Sequence, residues 1–248
     1  MVKLKNGIHL SVQSYCFRDF KDKAALLGKV KDVGLDAVEI CGVHVNFGDK
    51  LDEQRYIDLA NADSIRTVSS GINGFPKNED EVEKQFEFAA AAGFKVLGAD
   101  PEVDALPLIE HCCDKYGMQI AVHNHGRHHR YGSWDQLDAL FSKASANVGL
   151  CLDTAWMIDS GHDVKHTIEK YCERLYGVHL KDMIYSDFKS GAMKEVPCGD
   201  GELDLQQIAP LILAAPNLKY VSIEYEEKPE DPTEDIRKCV ANVQKYFC

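Results

Sequence analysis

Two hydrophobic rhythms alternate along the chain. Short apolar or β-branched runs stand at residues 8–12, 37–40, 66–69, 95–97, 119–123, 148–153, 175–180 and 220–224. Between them, stretches such as 21–33, 80–92 and 105–116 place apolar residues at helical spacing. Gly34, Gly93 and Gly117 follow three of these stretches just ahead of the next run. A helix C-terminus commonly needs a left-handed residue at that point. Strand, helix, glycine, strand is the rhythm of parallel βα units, and eight of them predict a closed (β/α)₈ TIM barrel. No proline-, glycine- or serine-rich linker divides the chain, so residues 1–248 are expected to form one domain. One connection, 183–202 between the seventh and eighth runs, is longer than the rest and rich in glycine. A loop of that kind after a barrel strand is expected to shape substrate specificity or to act as a lid.

Barrel side chains face inward at every second strand position. That parity puts Ala121, His123 and His125 on one face, and likewise Cys151 with Asp153, Gly177 with His179 and Lys181, and Ser222 with Glu224 and Glu226. His123, Asp153, His179 and Glu224 then lie at the C-terminal ends of four successive strands, the end where barrel enzymes carry their chemistry. Taken singly, each has a plainer role: a hydrogen-bonded structural histidine, a helix cap for Asp153, a solvated strand end for Glu224. Taken together they describe one divalent metal site, because two carboxylates buried side by side without a cation are costly. Two nitrogens and two oxygens suit Mn²⁺ first, with Zn²⁺, Co²⁺ or Fe²⁺ as alternatives, better than Mg²⁺ or Ca²⁺. With six-coordinate geometry, a hydroxy-ketone could chelate the remaining positions while an α-proton leaves through an enediolate.

Composition narrows the partners. The chain is 45% hydrophobic, enough for a sizeable core, and 40 acidic against 28 basic residues give a net charge of −12. Diffuse attraction to nucleic acid or an anionic membrane is therefore not expected. The local cluster Arg127-His128-His129-Arg130 reads as a solvated loop, with an anion site as the alternative. No run approaches the roughly 20 apolar residues of a membrane span, and residues 1–7 lack a signal-peptide core. The 9 cysteines show no CxxC spacing and read as free thiols, several of them buried, in a cytoplasmic protein.

The segments Ala121-Val-His-Asn-His-Gly126, Leu150-Cys-Leu-Asp-Thr154, Val178-His-Leu-Lys-Asp182, Val196-Pro-Cys-Gly-Asp-Gly-Glu-Leu-Asp204 and Ser222-Ile-Glu-Tyr-Glu226 resemble the xylose isomerase-like barrel superfamily of sugar phosphate isomerases and epimerases. The resemblance covers nearly the whole chain and is most specific in His-Leu-Lys-Asp followed by Gly-x-Gly-x-Leu-Asp. It implies Asp153, His179 and Glu224 as metal ligands, with His123 at the position of the remaining ligand. Glu39 matches a position that often faces substrate, and Trp156 and Asn124 join it as substrate contacts. Glu224 is the expected base, with His125 or Lys181 as its acid partner.

Two departures from the family pattern matter. His123 stands where sugar epimerases carry a second glutamate, and Trp156 stands where the family often has histidine. An indole can stack on a sugar face but cannot carry protons. The expected function is a sugar isomerase or epimerase acting on a small carbohydrate. The alternatives are a lyase or dehydratase acting on a keto-sugar, keto-inositol or 3-keto-glycoside, and a non-catalytic metal-containing binding subunit. The superfamily's endonuclease branch needs more ligands and a basic groove, which the charge disfavours. Assembly as a homo-oligomer is left open.

Overall fold

The computed structural model describes residues 2–187 and 191–248. Eight parallel strands close a barrel: β1 (Leu10–Gln13), β2 (Ala37–Ile40), β3 (Arg66–Phe75), β4 (Val96–Pro101), β5 (Gln119–His123), β6 (Val148–Asp153), β7 (Leu175–Leu180) and, after a hairpin described below, β10 (Tyr220–Ile223). Closure runs through β1 and β10, where Leu10 pairs with Val221 and the Ser11 and Ser222 hydroxyls meet at 2.8 Å. Outside lie α1 (Lys23–Asp32), α2 (Lys50–Ala62), α3 (Glu79–Ala92), α4 (Leu106–Tyr116), α5 (Trp134–Phe141), α6 (Thr154–Asp159), α7 (Val164–Tyr171), α8 (Leu205–Ala214) and α9 (Thr233–Phe247). The predicted (β/α)₈ barrel is the observed fold.

Local chemistry sets the ends of these elements. Asp22 caps α1 by accepting from Ala25 N at 3.0 Å, and Asn78 does the same for α3 through Glu81 N. Gly93 and Gly117 end α3 and α4 at φ +81° and +60°, the left-handed turn foreseen for them. β3 runs six residues further than the 66–69 expected. A Cβ at Gly71 would lie 2.9 Å from Gly98 Cα. Glycine at both points lets the β3 and β4 backbones close up, and the strand continues past a register shift between Ser70 and Asn73.

The main apolar core lies between barrel and helices, drawing on residues such as Leu26, Phe86, Ile109, Val178 and Val243. A smaller cluster of Val96, Ala121, Cys151, Tyr176 and Tyr220 forms a second buried patch. Room for it comes from glycine: a Cβ at Gly177 would sit 2.3 Å from the Tyr220 ring, and one at Gly149 2.3 Å from the Tyr176 ring.

The long connection after β7 is an antiparallel hairpin, β8 (Asp182–Asp187) and β9 (Ala192–Val196), outside the barrel sheet. Residues 188–190 of that connection lie outside the described residues. Among the described residues no helix is long and apolar enough to cross a membrane. All nine cysteines are free, as expected, and seven are buried; Cys172 is half-buried and Cys248 exposed.

Candidate metal centre

Register brings the four ligand candidates together. Asp153 on β6 pairs directly with His179 on β7, and Ser222 on β10 pairs with His179 from the other side. Glu224 follows β10 by one residue, with its N–H donating to Leu180 O at 3.2 Å. His123 ends β5 opposite Cys151. One donor atom from each of His123, Asp153, His179 and Glu224 lies within 4.8 Å of the others, and all four residues are buried.

His179 Nδ1 is 3.1 Å from Glu224 Oε2, and His123 Nε2 is 3.4 Å from Asp153 Oδ2 and 4.0 Å from Glu224 Oε2. Ligand atoms held about 2.1 Å from one ion stand about 3.0 to 3.4 Å apart at octahedral or tetrahedral angles. Both ring nitrogens of His123 and Asp153 Oδ2 are buried with no hydrogen-bond partner among the described residues. Buried polar atoms normally have partners, so a divalent cation fits the donor set present.

Electrostatics agrees with that fit. Burial, helped by His179 and His125, pushes the His123 imidazole well below its ordinary range, leaving it neutral with a lone pair to give. Burial would raise Glu224, but Lys181 and His179 outweigh it and hold the carboxylate well below the usual range. Burial likewise opposes the charge on Lys181, yet Glu224, Asp153, Glu195 and Glu226 together raise its pKa and keep the ammonium protonated. Lys181 Nζ is paired with Glu226 Oε1 and lies 3.9 Å from Glu224 Oε2 and 5.4 Å from the Trp156 ring centre.

Other expected site residues stand elsewhere than at the pocket wall. Glu39 is fully buried behind His179, its Oε2 2.7 Å from His179 Nε2. That is the place of a group orienting a candidate ligand's ring, whereas the family resemblance implied that it faces substrate. Asn124 is clamped onto the β6 backbone, donating to Asp153 O at 3.0 Å and accepting from Asp153 N at 2.8 Å. Trp156 and His125 do line open space. One cavity of about 510 Å³ is walled by Gln13, Cys41, His123, Trp156 and Glu224, and an adjoining one of about 720 Å³ by Asp100, His125, His129 and Trp156 together with Met193 of β9.

Burial pushes His125 down to about 4, so its imidazole is neutral at physiological pH. The basic cluster is not an open anion site: Arg127 grips Asp159 through its backbone and guanidinium, and Arg130 Nε donates to Asp100 at 2.9 Å. Sequence reasoning missed Gln13 and Asp100, which carry no motif and reach the mouth only through the barrel's closure.

A closed parallel barrel with four buried donors converging at its C-terminal mouth defines a barrel protein with a candidate metal site. The chain belongs to the xylose isomerase-like TIM barrel family, whose model matches residues 27–243. Among curated proteins it is similar to the inosose dehydratase of Clostridium botulinum, 32% identical over 71% of this chain and 73% of that one. It is also similar to the inosose dehydratase of Geobacillus kaustophilus, 26% identical over 51% of this chain and 45% of that one. The chain thus matches less than half the length of the Geobacillus protein. Both relatives are enzymes. Among solved structures, the IolI protein with bound zinc superposes with a TM-score of 0.77 at 18% identity, covering 97% of this chain and 99% of that one, a likeness of fold.

Proposed function

We propose that the protein is a divalent-metal-dependent enzyme of small polyhydroxylated ketones, a keto-sugar or keto-inositol, that removes the proton beside the carbonyl and expels the β-hydroxyl. The observation that carries this reading is the buried His123–Asp153–His179–Glu224 cluster, which holds unpartnered polar atoms and two of whose members, His123 and Glu224, line an open cavity. Mn²⁺, Zn²⁺, Co²⁺ and Fe²⁺ all suit that donor set, and the zinc in the IolI protein supports an ion of this class. When bound, such a metal polarises a chelated carbonyl and offsets the charge of an enediolate.

The chain's own residues do the rest. Glu224, kept ionised by Lys181 and His179, takes the α-proton. Once it carries that proton, Glu224 can pass it to the departing hydroxyl, which leaves as water while a carbon–carbon double bond forms, and Lys181, kept cationic by its four carboxylate neighbours, steadies the charge beside it. Glu39 fixes the His179 ring, and Asn124 fixes the Asp153 backbone. Trp156 offers a flat face to the ring of the substrate.

Elimination is preferred over isomerisation or epimerisation because Glu226, the other glutamate lining the cavity, is tied to Lys181 and does not form a free facing base, and because the curated relatives are dehydratases. Isomerisation or epimerisation stays as the second reading on one observation: neutral His125 borders the same cavity and could take a proton from another side.

The test follows solvent deuterium in a metal-loaded panel of ketoses, inososes and keto-glycosides. Wash-in at the α-carbon with loss of water is the expected result. Wash-in without dehydration selects the second reading, and ligand-dependent stabilisation without exchange would make this a binding subunit. Glu224→Gln should lower exchange at least about 10³-fold with the fold intact. His123→Ala should lose metal, and unchanged metal content in that variant overturns the ligand assignment.

A further inference from the structure

We infer that the barrel mouth carries a second, weaker divalent transition-metal site built from Asp100, His125 and His129. Donor atoms of these three residues lie within 4.8 Å of one another, a convergence distinct from the buried four-residue cluster. His129 Nε2 stands 3.3 Å from Asp100 Oδ2, the ligand-to-ligand spacing that His123 and Asp153 show in the first site. Nδ1 of His125 and Nδ1 of His129 are buried with no partner among the described residues, so each ring keeps one nitrogen that the protein's own hydrogen bonds leave unused.

The local chain supports the geometry. His125 and His129 are four residues apart in a His-x₃-His arrangement, a spacing used by metal-binding histidine pairs. The turn between them is set by His129 N donating to Gly126 O at 2.9 Å, which brings the two ring centres to 4.4 Å. Asp100 projects from the end of β4. Arg130 Nε holds its Oδ1 at 2.9 Å and leaves Oδ2 for an ion.

Two imidazoles and one carboxylate suit Zn²⁺, Fe²⁺ or Co²⁺ and leave positions open toward the cavity of about 720 Å³. Three partly exposed ligands, one shared with a guanidinium, make this the weaker site. An ion here would offer a second anchoring point for an oxygen-rich ligand a few ångströms from the first, since the His123 and His125 ring centres are 4.4 Å apart.

The experiment titrates tag-free, chelator-stripped full-length protein with Zn²⁺ by calorimetry and counts bound zinc by elemental analysis. Wild type should take two equivalents, the second at least about tenfold weaker. His129→Ala, and independently Asp100→Asn, should keep the tight equivalent and lose the weak one. Asp153→Asn should do the reverse, which separates failure of this site from failure of the first. Saturation of wild type at one equivalent overturns the inference. So does retention of two equivalents in both His129→Ala and Asp100→Asn with circular dichroism unchanged.

Discussion

At Asp153 one carboxylate oxygen caps a helix while the other faces the metal centre, so two roles that compete on paper are divided between two atoms. Oδ1 accepts from Trp156 N at 2.9 Å at the start of α6, and Oδ2 meets His123 Nε2 without a hydrogen-bond partner. Burial, joined by the Glu224 carboxylate and opposed by Lys181, raises this acid well above the ordinary aspartate range when no ion balances it. Asparagine can keep the cap and drop the charge. Asp153→Asn should therefore leave chelator-treated protein at least as stable as wild type, within about 1 kcal/mol or better, while tight metal binding weakens by about 100-fold or more. Thermal unfolding in chelator and a metal titration check the two halves. The four candidate ligands stood out in the sequence because each ends an apolar run. Glu39 was legible only as a position, since nothing in Val-Glu-Ile says that the carboxylate turns toward a histidine ring three strands away in the closed barrel.

Among the elements, the hairpin shows what periodicity hides. Its strands β8 and β9 are mostly exposed or half-buried and carry polar residues on both faces, so no alternating pattern announces them. What was legible was the motif at its feet, and the structure supplies the reason for it. The Asp182 carboxylate accepts from four backbone N–H groups: Met183 and Leu203 at Oδ1, at 2.9 and 3.0 Å, and Gly199 and Gly201 at Oδ2, both at 2.9 Å. Gly201 must be glycine because a Cβ there would lie 2.5 Å from Asp182 Oδ1. Asp182→Asn turns an amide toward donors that need an acceptor. It should cost about 2 to 4 kcal/mol, read as a lower urea midpoint with an unchanged slope.

For the molecule as a whole, fold class followed from rhythm, since eight strand runs with helices between them admit few other closures. The cluster of Asp100, His125 and His129 was out of reach, because it joins the end of one strand to a turn after the next and depends on how that turn folds. Global stability has an acid limit that is also structural. Burial pushes His44, enclosed by Ser14, Cys41 and the Phe17 carbonyl, from its ordinary 6.5 down to about 4. Between those values the unfolded chain binds the proton and the native protein does not. Stability is complete above pH 6.5 and is lost as pH falls toward 4, by about 3 kcal/mol from this residue. His44→Gln should show a shallower decline than wild type when unfolding is measured from pH 7 to pH 4.5. Loss of stability in parallel would assign the acid limit to other groups.

The hairpin's fixed feet carry a consequence for how such proteins diversify. Its base is knotted to Asp182, one residue from Lys181, while Met193 near its tip forms part of the outer cavity wall. Change at the tip can therefore alter which molecule is admitted without disturbing the ion-holding end of the barrel. Selectivity and reactivity can be inherited separately, and exchanging tips between relatives is a direct route to new substrates on an unaltered catalytic floor.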